Sequence, residues 1–191
     1  MKIALKIAAV LAIGTVLGLA ATWLLIFRGG GLRGAVRNGP WTTSLTVGSS
    51  GSDIYTRAVV AVHGLLALNR SETIYYAAHA DSDGNNFDGR CTYLIAGRDP
   101  PARWWAITAY ATDDYLIPNP AHRYSVSKNS VTRDPEGMFV ATVSPKHFDR
   151  DWIPVAGAPF LLTLRLYNPA PSVAADPAHV ALPTIKKVSC S

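Results

Sequence analysis

The chain has 191 residues, with 18 Lys plus Arg against 13 Asp plus Glu and a hydrophobic share of 49%. This composition fits one globular domain plus an unusually apolar segment, and it excludes a disordered tail and a multidomain enzyme. The positive excess lies entirely in Lys2, Lys6, Arg28, Arg33 and Arg37, so the rest of the chain is formally neutral and lacks the cationic surface that nucleic-acid binding requires.

An uncharged, strongly apolar run extends from Ile7 to Phe27. As an α-helix it would span about 32 Å, enough to cross a hydrocarbon core of about 30 Å. The alternative is a cleaved signal peptide with Lys2 and Lys6 as its charged region. We favour an uncleaved anchor, because the apolar run continues from Trp23 to Phe27, past the weak small-residue cleavage sites. Residues 1–28 are therefore predicted to form a transmembrane anchor. The few residues that precede the apolar run favour export of the domain that follows the anchor.

Cys91 and Cys190 are the two cysteines of the chain and lie 99 positions apart. This spacing excludes the closely paired cysteines of redox and zinc motifs. In an oxidising compartment the two can form one disulfide that ties the carboxyl-terminal segment to the middle of the fold. The alternative is a pair of buried, reduced thiols.

Residues 29–52 are rich in Gly, Arg and Ser, with little apolar content besides Trp41 and the run Leu45–Val47. This composition predicts a linker between the anchor and the domain, with one short extended piece.

A helix is predicted next, from a cap at Ser52 or Asp53 to about Leu68. Its apolar residues recur at helical spacing: Ile54, Ala58, Val62, Leu65 and Leu66. We expect His63 to be packed or partly exposed rather than a metal ligand, because no second metal-type residue occupies a helical neighbour position.

Beyond this helix, short runs with period-two alternation are separated by Gly, Pro, Asn and Asp residues. They predict seven strands: Thr73 to His79, Cys91 to Ala96, Arg103 to Ala111, Tyr124 to Lys128, Met138 to Val143, Phe160 to Tyr167 and Ile185 to Ser189. Such spacing is typical of an all-β sandwich rather than of βαβ units. The predicted fold is mainly β: a β-sandwich or jelly-roll-like domain over residues 53–191 with one packed helix, preceded by a single transmembrane helix.

Three motifs stand in a recognisable order: Arg103-Trp-Trp-Ala-Ile-Thr-Ala-Tyr, then Asp114-Tyr-Leu-Ile-Pro-Asn-Pro with Arg123-Tyr-Ser, then Phe160-Leu-Leu-Thr-Leu-Arg-Leu-Tyr-Asn-Pro. Together they resemble the domain-of-unknown-function family DUF1214, in its short, membrane-anchored bacterial version. The resemblance extends from about Asp53 to Cys190. It implies a jelly-roll-like β-sandwich in a bacterial envelope, and it brings no established reaction, ligand or catalytic residue. The expected location is the bacterial inner membrane, with the globular domain in the periplasm.

Strand alternation places candidate ligand-binding residues on one side of the sandwich. Trp104 and Tyr110 share a face of their strand, opposite Trp105, while Arg165 and Tyr167 point away from the predicted core. Aromatic side chains with a polar edge on an open face bind sugar rings or lipid head groups by stacking and oriented hydrogen bonds. The alternative is that both tryptophans fill the core.

A second candidate site lies in residues 113–124, where two prolines stiffen the loop around Asn119. Asp114, His122 and Arg123 have the chemistry of a base, a proton shuttle and an anion clamp. They can equally form a structural corner in which Arg123 or Arg165 satisfies Asp114.

The sequence contains no nucleophile elbow, zinc-protease motif or Walker loop, so no cofactor or metal is expected. The alternating acidic residues of the segment 81–88 resemble a calcium loop but lack its last carboxylate, which favours a hairpin turn. The leading hypothesis is an exported domain that binds a glycan, a lipid-linked molecule or a protein without catalysis. The alternatives are an enzyme acting on an envelope polymer through Asp114, His122 and Arg123, and a structural or assembly subunit beside a membrane protein.

Overall fold

A computed structural model describes residues 2–27, 34–62 and 67–190. The helices are α1 (Lys2–Phe27), α2 (Ile54–Val62) and α3 (Pro171–Ala175). The strands are β1 (Val36–Asn38), β2 (Trp41–Thr43), β3 (Thr73–Ala78), β4 (Cys91–Arg98), β5 (Ala102–Ala111), β6 (Ser125–Ser127), β7 (Met138–Ser144), β8 (Trp152–Pro154), β9 (Phe160–Pro169) and β10 (Thr184–Cys190).

Helix α1 is long and apolar enough to cross a membrane, and its described side chains are almost all exposed. Its two hydroxyl groups are satisfied within the helix, because Thr15 Oγ1 donates to the Leu11 carbonyl and Thr22 Oγ1 to the Gly18 carbonyl, each at 2.9 Å. A hydroxyl bonded in this way exposes no unpaired donor to lipid. The predicted apolar helix is therefore present, and it is suited to a hydrocarbon environment.

Two sheets form the domain. The six-stranded sheet has the order β1-β2-β3-β9-β5-β6, and the four-stranded sheet has the order β10-β4-β7-β8. Neighbouring strands are antiparallel, except that β7 and β8 run parallel. The predicted mainly β sandwich is confirmed.

The core lies between the inner faces of the two sheets. On β9, Leu162, Leu164 and Leu166 are fully buried, as the alternation predicts. The Trp105 ring of β5 stacks on Phe139 of the opposite sheet, with ring centroids 4.8 Å apart. Burial of these large side chains supplies most of the drive for folding.

All seven predicted strands are present, and the described residues contain three more, where the sequence predicted only one short extended piece in residues 29–52. Of these, β1 and β2 lie within residues 29–52, the segment assigned to a linker, and join the six-stranded sheet through β3. Trp41 of β2 is fully buried, and its Nε1 donates to the Pro183 carbonyl at 2.7 Å. Part of the segment assigned to a linker is therefore sheet. Neither β1 (Val-Arg-Asn) nor β2 (Trp-Thr-Thr) alternates polar and apolar residues.

The predicted second helix is present as α2, but residues 67–68, which the prediction included, are not helical. The carboxylate of Asp53 caps it, because Oδ1 accepts the backbone amides of Tyr55 at 3.0 Å and Thr56 at 3.2 Å. The helix packs through Thr56, which is its buried residue, whereas Ile54 is 76% exposed and Val62 is 50% exposed. Residues 63–66, including the predicted positions of His63, Leu65 and Leu66, lie outside the described residues.

The predicted disulfide between Cys91 and Cys190 is present. It joins β4 to β10, which are neighbours in the four-stranded sheet, and the two cysteines are direct cross-strand partners. The bridge therefore fastens the carboxyl-terminal strand to the sandwich.

Candidate functional site

The outer face of the six-stranded sheet carries the first group of candidate residues. Trp104 of β5 lies opposite Tyr167 of β9, and Ala106 lies opposite Arg165. Successive strand residues point to opposite sides, so the neighbours of the buried core residues project outward. We call this surface the outer face, and its residues are Tyr75, Trp104, Thr108, Tyr110, Arg165 and Tyr167.

Arg165 lies at the centre of the outer face and is half-buried. Its Nη2 donates to the Tyr110 hydroxyl at 2.7 Å and its Nη1 to Thr108 Oγ1 at 3.3 Å. The guanidinium carbon also lies 5.3 Å from the centre of the Tyr110 ring, a cation–π distance. Among the described residues, no carboxylate lies within ion-pair distance of this guanidinium group. The described partners of this positive charge are therefore neutral groups.

Trp104 and Tyr167 form an aromatic pair beside Arg165. Their ring centroids are 5.1 Å apart and the planes are tilted by 54°. The Trp104 Nε1 donates to Asn129 Oδ1 at 3.1 Å, and both rings stay half-exposed. The alternative that both tryptophans fill the core is excluded, because only Trp105 does so.

Asn119 has a structural role in the second candidate segment. Its Nδ2 donates to the carbonyls of Ile117 at 3.0 Å and Arg123 at 2.9 Å. Its Oδ1 accepts the backbone amide of Arg123 at 3.1 Å. These three hydrogen bonds fasten the two ends of the loop 117–123 to the Asn119 side chain.

Asp114, His122 and Arg123 are presented by the same loop in different settings. Asp114 and His122 adopt left-handed backbone conformations, with φ of 67° and 49°. Asp114 is half-buried and His122 is exposed, and Arg123 lines a cavity whose described lining contains neither of them. This cavity therefore does not bring the three side chains together.

The cavity beside Arg123 has a volume of about 320 Å³ and lies where β6 and β8, the edge strands of the two sheets, approach each other. Its lining is Arg123, Ser125, Val126, Ser130, Thr132, Asp149, Arg150, Asp151 and Trp152. Sequence analysis singled out only Arg123 among these residues. The other basic residue, Arg150, precedes β8, which was not predicted from the sequence.

The acidic segment 81–88 is a turn. Asp81 is buried, and its Oδ1 accepts the backbone amides of Asp83 at 3.0 Å and Asn85 at 2.9 Å. Burial opposes ionisation of this carboxyl, but the hydrogen bonds from Asn85 and Asp83 and the charge of Lys187 outweigh it and lower its pKa. Within the described ranges, no group of three or more His, Cys, Asp or Glu side chains is placed to hold a metal ion.

Residues 72–171, more than half of the chain, match the family model described as "Protein of unknown function (DUF1214)". The chain belongs to the DUF1214 family. The matched residues include the whole outer face and the whole lining of the cavity. Both features therefore lie in the DUF1214 part of the chain.

One solved structure supports the fold. The VPA0106 protein from Vibrio parahaemolyticus is 23% identical and superposes with a TM-score of 0.59 over 73% of this chain and 36% of its own. An uncharacterised protein from Burkholderia cenocepacia is 15% identical, with a TM-score of 0.45 over 63% of this chain and 30% of its own. The chain thus spans about a third of the length of these two proteins. A search of curated proteins found no match.

Proposed function

We propose that this protein is a single-pass membrane protein of the bacterial envelope whose exported DUF1214 domain binds an acidic glycan on the outer face. The observation that carries the proposal is Arg165, a guanidinium group without a carboxylate partner among the described residues, set between aromatic side chains. The domain acts in this account as a binding module and not as an enzyme.

The chemistry of the outer face suits a sugar with a carboxylate group. A guanidinium group has five N–H donors, and the bonds to Thr108 and Tyr110 leave others for a ligand. Arginine pairs with carboxylates through two parallel hydrogen bonds. The half-exposed rings of Trp104 and Tyr167 offer faces against which the apolar side of a sugar ring can stack.

Three features support a membrane-anchored, exported domain. Helix α1 has the length and composition of a membrane span. The domain contains a disulfide, and disulfides form and persist in oxidising compartments. Helix α2 lies against α1 and leaves Ile54 and Val62 exposed, as expected for a helix next to a bilayer. These features favour the inner membrane with the domain in the periplasm.

The test uses the full chain in detergent micelles and isothermal titration with a tetrasaccharide of galacturonic acid. Its methyl ester, in which the carboxylates are neutral, is the matched ligand control. We expect the acidic form to bind at least about tenfold more tightly, since a charge-assisted bond contributes that much.

Arg165→Gln should remove this preference for the acidic form, while Arg98→Gln, an exposed arginine at the end of β4, should keep it. Wild-type protein that binds neither form, or that binds both equally, would overturn the proposal.

A further inference from the structure

The cavity between β6 and β8 has features of a binding site separate from the outer face. Its base is apolar and fixed: Val126 and Trp152 are buried, and the Trp152 Nε1 donates to the Ser144 carbonyl at 2.9 Å. The indole therefore has a satisfied donor and cannot rotate freely. A rigid base with polar groups around it is typical of a small-ligand pocket.

Two arginines line this cavity without a partner of their own. Neither Arg123 nor Arg150 makes a side-chain hydrogen bond or ion pair with another described residue. The hydroxyl groups of Ser125 and Thr132 also line the cavity, and they too make no hydrogen bond within the described part of the chain. Two cations and two hydroxyl donors thus border one space.

Two carboxylates also line the cavity, and the contacts described for each are with groups other than the two arginines. Both oxygens of Asp151 lie 3.2 Å from the backbone amide of Thr132, which donates to them. The side chain of Asp149 is 96% exposed and faces His147, at 3.9 Å between Oδ1 and Nδ1. Neither carboxylate lies within ion-pair distance of Arg123 or Arg150, so the guanidinium groups are left for an external anion.

We infer that this cavity binds a small oxyanion, a carboxylate or phosphate group, through Arg123 and Arg150, with Ser125 and Thr132 donating hydrogen bonds to it. Guanidinium groups bind both kinds of anion through charge-assisted bonds. The volume of about 320 Å³ admits one such group together with a small attached moiety.

The cavity adjoins the outer face. Ser125 of β6 is the cross-strand partner of Thr108, whose hydroxyl accepts a bond from Arg165. Neighbouring strands are about 4.8 Å apart. Arg165 on β9 is level with Ser127 of β6 through Ala106, so Ser125 lies two strand spacings across and two residues along the strand from Arg165. The inferred anion site depends only on the residues of the cavity and does not require that the outer face binds a glycan.

The test is titration of the full chain in micelles with inorganic phosphate and, separately, with monomeric galacturonate, followed by two-dimensional amide and indole NMR. We expect saturable shifts at Val126, Thr132 and the Trp152 indole with at least one of the two probes. The probe that binds more tightly identifies the anion as phosphate or carboxylate.

Arg123→Gln and Arg150→Gln should each weaken that binding by about tenfold or more. Arg98→Gln should leave it unchanged, and melting curves will show whether each variant is folded. Shifts that never saturate with either probe, or an equal loss in Arg98→Gln, would overturn the inference. Arg165→Gln should keep phosphate affinity within about twofold, which separates failure at this cavity from failure at the outer face.

Discussion

The two faces of the six-stranded sheet differ sharply although the same strands form both. On β5, Trp105 is fully buried and stacks on Phe139, whereas the preceding residue, Trp104, is half-exposed beside Tyr167. Each indole nitrogen has a partner, Asp99 for Trp105 and Asn129 for Trp104. Two neighbouring tryptophans thus lie in opposite environments: Trp105 belongs to the core, and Trp104 lies on a face that presents polar and aromatic groups to solvent.

The largest expected effect on stability comes from a substitution on the inner face. Trp105→Ala should lower the free energy of unfolding by about 3–5 kcal/mol, because it removes a buried aromatic ring and leaves a cavity. The matched outer-face change, Trp104→Ala, should cost about 1 kcal/mol or less. Urea denaturation of both variants measures the difference. Equal losses would show that the two faces do not differ in their contribution to stability.

A smaller loss is expected at the disulfide of the four-stranded sheet. Replacing both Cys91 and Cys190 with Ala should destabilise the domain by about 2–4 kcal/mol, because the bridge closes a long loop in the unfolded chain. The bridge lies in the opposite sheet from the outer face, so glycan affinity measured below the melting temperature should stay unchanged. A large loss of affinity in the folded double variant would link the two sheets functionally.

The smallest expected effect is a loss of stability at alkaline pH that arises from Tyr76 on the inner face. Burial, with the charge of Asp176, raises the pKa of Tyr76 to about 12, and its hydroxyl donates to the Pro177 carbonyl at 3.1 Å. The folded state thus favours the protonated phenol, so this stabilisation is complete below pH 10 and is lost between pH 10 and about 12. Tyr76→Phe should flatten the fall in the urea midpoint between pH 9 and 11, and the outer-face control Tyr110→Phe should keep it.

Sequence periodicity was sufficient to predict the long strands and to assign the residues of β5 and β9 to two opposite faces. It was insufficient for β1, β2 and β8, because these short strands do not alternate polar and apolar residues, whereas the equally short β6 does, with Ser-Val-Ser. Trp41 therefore seemed to belong to a linker, although it is fully buried.

The candidate sites could be predicted only in part, because they depend on which strands are neighbours. Alternation places Tyr110 and Arg165 outward, but their 2.7 Å hydrogen bond requires the register of β5 against β9. Arg123 and Arg150 line one cavity at the edges of two sheets, and no local sequence pattern predicts that they lie near the same space. The role of Asn119 as a loop closure likewise depends on backbone positions that become known only once the loop is folded.

The central claim, that the outer face binds an acidic glycan, is tested most directly by mapping where the ligand lies. Two-dimensional NMR of the full chain, titrated with the galacturonic acid tetrasaccharide, reports each backbone amide. The account predicts saturable shifts centred on Trp104, Tyr110, Arg165 and Tyr167, which disappear in Arg165→Gln. Shifts confined to other parts of the chain, or no saturable shift on the outer face, would contradict it.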